Sequence, residues 1–213
     1  MNIAIIGSGL TGSLAAIALA NLGCRVDLYE RLTDDELINR DRSYAITHSS
    51  RKILEKLKIW NKIIKNLIPF QHLYVIDHEL NKGVDFMVND LNNSDKKSFS
   101  VGWIANHKTL MASILKSISE KDNINKIPTS VIPNTVNYDL ILVADGTNST
   151  TKKKLRTPTF TFDYDQICIT AKVLMRGVYS NEAYEILSPE GPLAVLPLGG
   201  DLFQIVCSQT KNK

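Results

Sequence analysis

The first thirty residues constrain the fold of this 213-residue chain more than any other segment. Ile3 to Ile6 form a short apolar run typical of a buried parallel strand. The next residues, Gly7-Ser8-Gly9-Leu10-Thr11-Gly12, fit the pattern G-x-G-x-x-G and lead into an Ala- and Leu-rich helix predicted over Ser13 to Asn21. Gly23 is expected to cap that helix. A strand, a glycine turn and a helix in this order predict a dinucleotide-binding α/β fold.

Each position of the glycine turn has a predicted task. Gly7 permits the tight turn, Gly9 lets the backbone approach a pyrophosphate, and Gly12 lets the helix lie against the strand. The amino terminus of the helix that follows then faces the phosphates.

A second predicted strand, Arg25 to Tyr29, delivers a carboxylate about twenty residues beyond the glycines. Glu30 stands at the end of this strand, where a carboxylate accepts hydrogen bonds from ribose hydroxyls, and Arg31 follows it. An acidic residue here disfavours a ribose 2′-phosphate, so NADP is the least expected ligand of this site. The residues themselves leave FAD and NAD open.

Two later segments carry further candidates. Arg42, in the segment 41–46, is positioned to clamp a phosphate or adenine, although a solvated arginine in a polar loop explains it equally well. Asp145 and Gly146 follow a predicted strand over Tyr138 to Ala144, at the end where parallel sheets place ligand-contacting groups. An Asp-Gly pair is also a common simple turn.

Five segments together resemble the flavoprotein aromatic monooxygenases, and within them the ubiquinone-biosynthesis hydroxylases of the 2-polyprenyl-6-methoxyphenol hydroxylase type. The matching segments, in order, are 3–12 with Glu30-Arg31, 41–60, 101–110, 139–149 and 191–198. They touch nearly the whole chain.

The resemblance implies a Rossmann-like FAD/NAD(P)-binding domain of α/β class with an inserted or appended antiparallel β substrate domain. The cofactor domain is expected over 1–70 and 100–157, and the substrate domain over 71–99 and 158–213. Gly7, Gly9, Leu10, Thr11, Gly12, Glu30, Arg31, Arg42, Lys108, Asp145 and Gly146 are the implied cofactor-binding positions. Pro197 and Leu198 are implied to border the substrate pocket.

The implied reaction uses FAD, O₂ and a reductant such as NAD(P)H to hydroxylate the ring of a quinone precursor. No catalytic acid or base is nominated, because no Ser/His/Asp or paired-carboxylate arrangement stands out. The odd number and wide spacing of the cysteines predict a cytoplasmic protein, and a peripheral association with the inner membrane or with a multi-enzyme complex is left open.

The chain departs from the family pattern at several places. Lys108 and Lys152 stand where arginines are common, and a lysine cannot make the bidentate contacts of an arginine. Family members continue past this point into a further flavin-contacting motif, and the Gly199-Gly200-Asp201 segment is expected to be a hairpin turn instead. The sequence therefore predicts a fragment or a degenerate member. A non-catalytic dinucleotide-binding module and an NAD-dependent oxidoreductase remain the alternatives.

Amphipathic patterns predict how the remaining segments fold. Residues Ser50 to Leu67 have apolar side chains at helical spacing with lysines between them, which favours one core-facing helix and leaves a lipid surface as the alternative. His107 to Lys121 predicts a second packing helix, and the link from Lys121 to Tyr138 is short for a pair of strands. Residues 72–88 and those after Phe160 alternate as in an antiparallel sheet with one covered face, and 92–97 is expected to be a polar loop.

Composition excludes several classes of protein. The net charge of +3 comes from interspersed residues without a basic block, which argues against nucleic acid as a partner. The three cysteines lack paired spacing and are expected to be buried reduced thiols, and the four histidines lack metal-site spacing, so no metal is predicted. No signal peptide or membrane-spanning run is recognised.

Overall fold

The computed structural model describes residues 1–129 and 131–211. Its α-helices are α1 (Leu10–Asn21), α2 (Asp34–Ile38), α3 (His48–Lys56), α4 (Trp60–Ile63), α5 (Asn93–Lys96), α6 (His107–Ser119) and α7 (Thr150–Lys154). Its strands are β1 (Asn2–Ile6), β2 (Arg25–Glu30), β3 (Ser43–Ile46), β4 (Ile68–Phe70), β5 (His72–Asp77), β6 (Lys82–Met87), β7 (Gly102–Asn106), β8 (Ile124–Pro128), β9 (Leu140–Val143), β10 (Gln166–Leu174), β11 (Glu182–Leu187), β12 (Leu193–Gly199) and β13 (Leu202–Thr210). Short 3-10 turns cover Ile64–Asn66, Val88–Asp90 and Thr135–Asn137.

The chain divides into two compact units, and each is built from separated segments. The first unit comprises Met1–Arg42, Ile53–Lys65 and Asn106–Phe160. The second comprises Ser43–Lys52, Asn66–Ala105 and the residues from Thr161 onward. The assignment of cofactor and substrate domains to particular ranges remains a prediction.

A parallel sheet in the order β8-β2-β1-β9 forms the centre of the first unit. The apolar run at the amino terminus forms β1, which pairs in parallel with β2 on one side and β9 on the other. Ile3, Ala4 and Ile5 are each at most 1% exposed. The predicted buried parallel strand and the α/β class are confirmed.

Helices α1 and α6 pack against each other in this unit. The apolar stripe of α6 includes Met111 and Ile114, which are fully buried. Helix α1 ends in the way predicted for Gly23, which has φ +82° and donates its N–H to the carbonyl of Ala20 at 3.0 Å.

The single helix predicted over Ser50 to Leu67 is wrong. Helix α3 ends at Lys56, Lys58 adopts the left-handed conformation with φ +59°, and α4 begins at Trp60. This break turns the chain so that Ile59 and Ile63 are both completely buried. The apolar side chains of this segment therefore serve mainly the protein interior, which favours the core-facing interpretation over the lipid surface.

The short link between Lys121 and Tyr138 holds one strand. Residues Ile124–Pro128 form β8, which pairs in parallel with β2 so that Ile124 lies opposite Val26. The parallel sheet therefore gains an edge strand in a region where the sequence suggested little room for strands.

A six-stranded sheet in the order β10-β13-β12-β11-β5-β6 dominates the second unit. Its pairs are antiparallel, as predicted, except for β5 and β11, which run parallel. A three-stranded sheet in the order β3-β7-β4 belongs mainly to the same unit, and Phe70, Ile104 and Ala183 form the buried cluster. Gly199 and Gly200 both have positive φ and form the predicted turn between β12 and β13.

Strand β10 contradicts the expectation of one covered face. It lies at the edge of the sheet, paired on one side with β13, and side chains on both of its faces are exposed. Ile169 is 59% and Leu174 78% exposed, although they point to opposite faces. The prediction of buried thiols is also wrong, because Cys168 on this strand is exposed and Cys24 and Cys207 are half-buried.

The polar loop predicted over 92–97 is instead a short helix with a buried carboxylate. Asp95 is 5% exposed, and its Oδ2 accepts hydrogen bonds from the ammonium of Lys52 and the amide of Asn92, both at 2.9 Å. His48 Nδ1 lies 3.6 Å from the other oxygen. The hydrogen bond from Lys52 is the main cause that lowers the pKa of Asp95 below its ordinary value.

We expect Asp95→Asn to destabilise the fold most at about pH 7, because the fold favours the charged form of Asp95. That contribution is fully present above the ordinary Asp pKa of about 3.9 and is lost as the pH falls through the lowered pKa of the folded state. Urea unfolding at about pH 7 and about pH 3 measures the difference between the two proteins.

Asp122→Asn, at an exposed carboxylate, is the charge-matched control and should have little effect at either pH. A deficit of Asp95→Asn that stays equally large in acid would contradict the assignment.

Candidate dinucleotide site

The glycine turn begins where β1 ends. Gly7 has φ +98° and donates its N–H to the carbonyl of Tyr29 at 2.8 Å. A Cβ on Gly7 would lie 2.5 Å from the carbonyl oxygen of Ala144 and 2.8 Å from the Cα of Asp145. Both its conformation and its neighbours therefore require glycine.

Gly12 is required for a different contact. A Cβ on Gly12 would lie 1.9 Å from the carbonyl oxygen of Gly7 and 3.3 Å from the Cβ of Ala144. Because Gly12 has no Cβ, the first turn of α1 can lie directly on the turn that follows β1.

Gly9 differs from the other two glycines of the turn, Gly7 and Gly12. Its φ of −61° and ψ of −178° are open to any residue, and a Cβ built on it would meet nothing within 4 Å. The described fold therefore gives no internal reason for glycine at this position. A ligand that approaches the backbone here would supply one.

The amino terminus of α1 lies at the same place. Gly9 is the N-cap residue, and among the described residues no side chain hydrogen-bonds to the first turn. The backbone N–H groups of Leu10, Thr11 and Gly12 have no partners within the helix, and the helix dipole adds partial positive charge. Such an end binds an anion such as a pyrophosphate.

Glu30 fastens this turn to the end of β2. One of its oxygens accepts the N–H of Ser8 at 2.8 Å, and the other accepts the N–H groups of Arg31 and Leu32 at 2.8 and 3.0 Å. The carboxylate is thus held in place by backbone donors, and a carboxylate has about four acceptor positions. The Ser8 hydroxyl, 3.4 Å from one of the two oxygens, takes the fourth position, so a ribose hydroxyl would replace this long hydrogen bond.

Ser8 and Ser13 support the turn and were not among the predicted site residues. Both are fully buried, and the hydroxyl of Ser13 donates to the carbonyl of Ser8 at 2.8 Å. The sequence carries a signal for them, because small polar residues between and after the glycines can satisfy the backbone groups of a turn.

Asp145 lies against Gly7 at the end of β9. Its Oδ2 accepts the N–H of Thr151 at 3.2 Å, while its Oδ1 is buried with no partner in the described part of the chain. Burial acts to raise the pKa of Asp145, but hydrogen bonds from Ser149 and Thr151 outweigh it and lower the pKa below its ordinary value. A charged carboxylate with a free buried acceptor suits a ligand hydroxyl.

Ser149 and Thr151 were not predicted as site residues. Ser149 caps α7 by accepting the N–H of Lys152 at 2.9 Å, so the helix that supports Asp145 starts here. Its position three residues after Gly146 and directly before the Thr- and Lys-rich segment is a recognisable helix-start signal. Gly146 has φ +88° and open space around its missing Cβ.

The predicted basic residues lie on the surface of the first unit. Arg31, Arg42 and Lys108 are all exposed. The carbonyl of Arg42 accepts the N–H of His107 at 2.8 Å, which places Arg42 beside the start of α6, and Lys108 is the next residue of that helix. The structure thus places Arg42 and Lys108 near each other at the start of α6. Gly7, Gly12, Glu30 and Asp145 form a separate group, which is connected by contacts around the glycine turn.

The two predicted pocket residues lie in the second unit. Pro197 is buried, whereas Leu198 packs against the cluster of Phe70, Ile104 and Ala183. Their role beside a substrate remains a prediction.

A cavity of about 340 Å³ lies elsewhere in the first unit. Its walls include Asn2 and Arg25, which begin β1 and β2, so it lies at the end of the sheet opposite the glycine turn. The hydroxyl of Tyr138 in its wall donates to Asp27 at 2.5 Å, and burial followed by that bond raises the pKa of Tyr138. This geometry ties the phenol to the sheet and keeps it protonated.

Residues 1–129 and 131–211 contain neither a candidate membrane-spanning helix nor a candidate metal site. No helix there is long and apolar enough to cross a membrane. No group of three or more His, Cys, Asp or Glu side chains there could hold a metal ion.

We expect Gly9→Val to leave the fold intact and to weaken dinucleotide binding at least 100-fold, which corresponds to about 2.7 kcal/mol. The added side chain would enter open space in the free protein and block the approach of a pyrophosphate. Thermal unfolding and titration with FAD and NAD measure the two effects.

Gly12→Ala is the matched comparison, because its Cβ would collide with backbone inside the fold. It should lower stability by about 1–3 kcal/mol or more through overpacking. Unchanged dinucleotide affinity of Gly9→Val would refute the placement of the site.

Comparison with known proteins agrees with the geometry of the turn. Residues 5–34 match the model of an NAD(P)-binding Rossmann-like domain. The chain is 24% identical over 257 residues to the mitochondrial ubiquinone biosynthesis monooxygenase COQ6 of Dictyostelium discoideum, covering 97% of this chain and 52% of that protein. The chain thus spans about half the length of the curated relatives it matches.

Solved structures share the fold over almost the whole chain. The p-nitrophenol 4-monooxygenase PnpA of Pseudomonas putida aligns with a TM-score of 0.79 at 14% identity, covering 99% of this chain and 58% of that one. A variant of HpxO from Klebsiella pneumoniae complexed with FAD aligns with a TM-score of 0.73 at 15% identity, covering 98% of this chain and 57% of that one. The resemblance predicted from the sequence is confirmed: the chain is similar in sequence to ubiquinone biosynthesis monooxygenases and in fold to monooxygenases of solved structure.

Proposed function

We propose that this chain binds the adenosine diphosphate part of FAD and forms part of a monooxygenase that hydroxylates the ring of a quinone precursor. The observation that carries the proposal is the open space at Gly9 beside the uncapped start of α1. Ubiquinone biosynthesis monooxygenases among the relatives support the substrate class.

The residues of the first unit suit the parts of an adenosine diphosphate group. The N–H groups at the start of α1 would bind the pyrophosphate, and Glu30 would accept hydrogen bonds from ribose hydroxyls. The buried Oδ1 of Asp145 would accept a hydroxyl donor of the same cofactor. The neighbouring cations Arg42 and Lys108 would offset the charge of the phosphates.

When bound, FAD would supply the electrons that let O₂ transfer one oxygen atom to the ring, with NAD(P)H as the proposed reductant. The protein's part is to bind the cofactor, orient the ring and exclude water. These residues support the cofactor-binding step most directly.

Specific observations favour two alternatives. The match of residues 5–34 to an NAD(P)-binding domain favours a nicotinamide-dependent oxidoreductase. The coverage of about half of each relative favours a dinucleotide-binding module without catalysis of its own.

The purified chain distinguishes these functions. Its visible spectrum and its titration with FAD and NAD report the cofactor, and oxygen uptake with NADH and a phenol reports catalysis. Bound flavin with phenol-dependent oxygen uptake supports the full proposal, and bound flavin alone supports the non-catalytic module. A colourless protein that ignores FAD and binds NAD would overturn the flavin assignment.

We expect Asp145→Ala to weaken FAD binding roughly 10- to 100-fold, the effect of losing a hydrogen bond to a charged group. Flavin fluorescence during titration measures the affinity. Asp139→Ala is the control, because Asp139 precedes the other end of β9 and its Oδ2 accepts the N–H of Asn2 at 2.8 Å. Equal losses in the two variants would argue against a cofactor contact at Asp145.

A further inference from the structure

One face of the six-stranded sheet carries a row of polar and aromatic side chains. The parallel register of β5 and β11 places Tyr74 beside Tyr184 and His72 beside Glu182. The antiparallel register of β5 and β6 places Asp85 on the other side of Tyr74. Because side chains alternate along strands, all five lie on one face. We call them the tyrosine row.

The opposite face of the same strands is already occupied. Leu73 of β5 and Leu196 of β12 pack against the cluster formed by Phe70, Ile104 and Ala183. The tyrosine row therefore lies on the face turned away from that cluster, and its members are half-buried.

The rings of the row stack on one another. The ring centroids of His72 and Tyr74 are 5.9 Å apart with planes 10° from parallel, and those of Tyr74 and Tyr184 are 5.1 Å apart with planes at 17°. Stacked rings hold each other in fixed orientations, so their polar atoms have defined positions before any ligand arrives.

The charge of the row is negative. The hydroxyl of Tyr184 donates to the carboxylate of Glu182, and burial followed by that bond raises the pKa of Tyr184. Burial followed by the charges of Glu182 and Asp85 raises the pKa of Tyr74. Both phenols therefore stay protonated beside two carboxylates.

Two buried atoms of the row lack a hydrogen-bond partner among the described residues. They are Oδ1 of Asp85 and Nδ1 of His72. A buried acceptor without a donor is unfavourable, and a ligand that donated a hydrogen bond to it would remove this cost.

Positive charge is lacking on this face. Across the sheet, Tyr184 is followed by Val195 of β12, Ile205 of β13 and Ala171 of β10. None of the described strand residues on the face is Lys or Arg. Among the described strand residues of this face, a ligand carboxylate would meet two carboxylates, the imidazole of His72 and no Lys or Arg, which is unfavourable in a half-buried setting.

We propose that the tyrosine row determines substrate specificity by selecting an aromatic ring that carries a hydroxyl or amino donor and no negative charge against an aromatic carboxylate. The ligand's donor bonds to Asp85, and its apolar part lies along Val195 and towards Pro197. Pro197 stands two residues beyond Val195 on the same strand and therefore on the same face. The proposal rests on the proposed function, since it takes Pro197 as a residue of the aromatic pocket.

Three phenols of similar size and different charge test the selection: 4-ethylphenol, tyramine and 4-hydroxyphenylacetate. Amide NMR titration of the chain at about pH 7 reports both affinity and location. We expect shifts at β5, β6 and β11 with the first two compounds, and binding of 4-hydroxyphenylacetate at least roughly tenfold weaker, a difference of about 1.4 kcal/mol. Equal affinity for all three, or shifts elsewhere, would overturn the proposal.

Asp85→Asn removes one of the two carboxylates with almost no change of shape. It should reduce the ratio of the affinities for 4-ethylphenol and 4-hydroxyphenylacetate severalfold. The amide spectrum should stay that of a folded protein. The control is Glu185→Gln, a carboxylate next to Tyr184 on the opposite face, which should leave the preference unchanged. An unchanged preference in Asp85→Asn would contradict the role given to Asp85.

Tyr184→Phe provides a second variant should Asp85→Asn not fold. It frees the Glu182 carboxylate from its hydrogen bond and should strengthen the rejection of 4-hydroxyphenylacetate; a weaker rejection would count against the row. Flavin binding is measured separately on the same samples. Ring binding without FAD binding would defeat the proposed function alone, and FAD binding with unselective phenol binding would defeat the tyrosine row alone.

Discussion

The first unit depends on one close contact, the approach of the glycine turn to the end of β9. Carbonyl and Cα atoms of Ala144 and Asp145 occupy the space where a side chain on Gly7 would lie. The N–H of Ala144 also donates to the carbonyl of Ile6 at 2.7 Å, so the ends of β1 and β9 are bonded at the point of contact. Two motifs more than a hundred residues apart in the chain thereby form a single site.

Local rules decide most of the geometry around the glycine turn. Glycine spacing, an apolar strand and a strand-end carboxylate each act over a few residues, and the resemblance to known flavoproteins gave the cofactor role proposed for Asp145. The break at Lys58 escaped prediction because tertiary burial of Ile59 overrode a continuous helical pattern. The pairing of β5 with β11 escaped too, since no local pattern tells which distant strand will be a neighbour.

The two units present different chemistry. The first offers backbone donors, a helix terminus and exposed cations, which suit phosphates. The second offers stacked phenols and carboxylates without cations on the same face, which suit a neutral ring that donates hydrogen bonds. If the proposed ligands are right, this contrast would lower the tendency of a charged cofactor to occupy the tyrosine row.

The pairing of β5 with β11 also has a consequence for synthesis of the chain. Strands β5 and β6 leave the ribosome roughly a hundred residues before β11, which at about 5–20 residues per second is a delay of about 5–20 seconds. During that time the edge of β5 is unpaired, and Val84 and Phe86 of β6 stay exposed even in the finished fold. We therefore expect the nascent hairpin of β5 and β6 to be a segment that a chaperone would protect during synthesis.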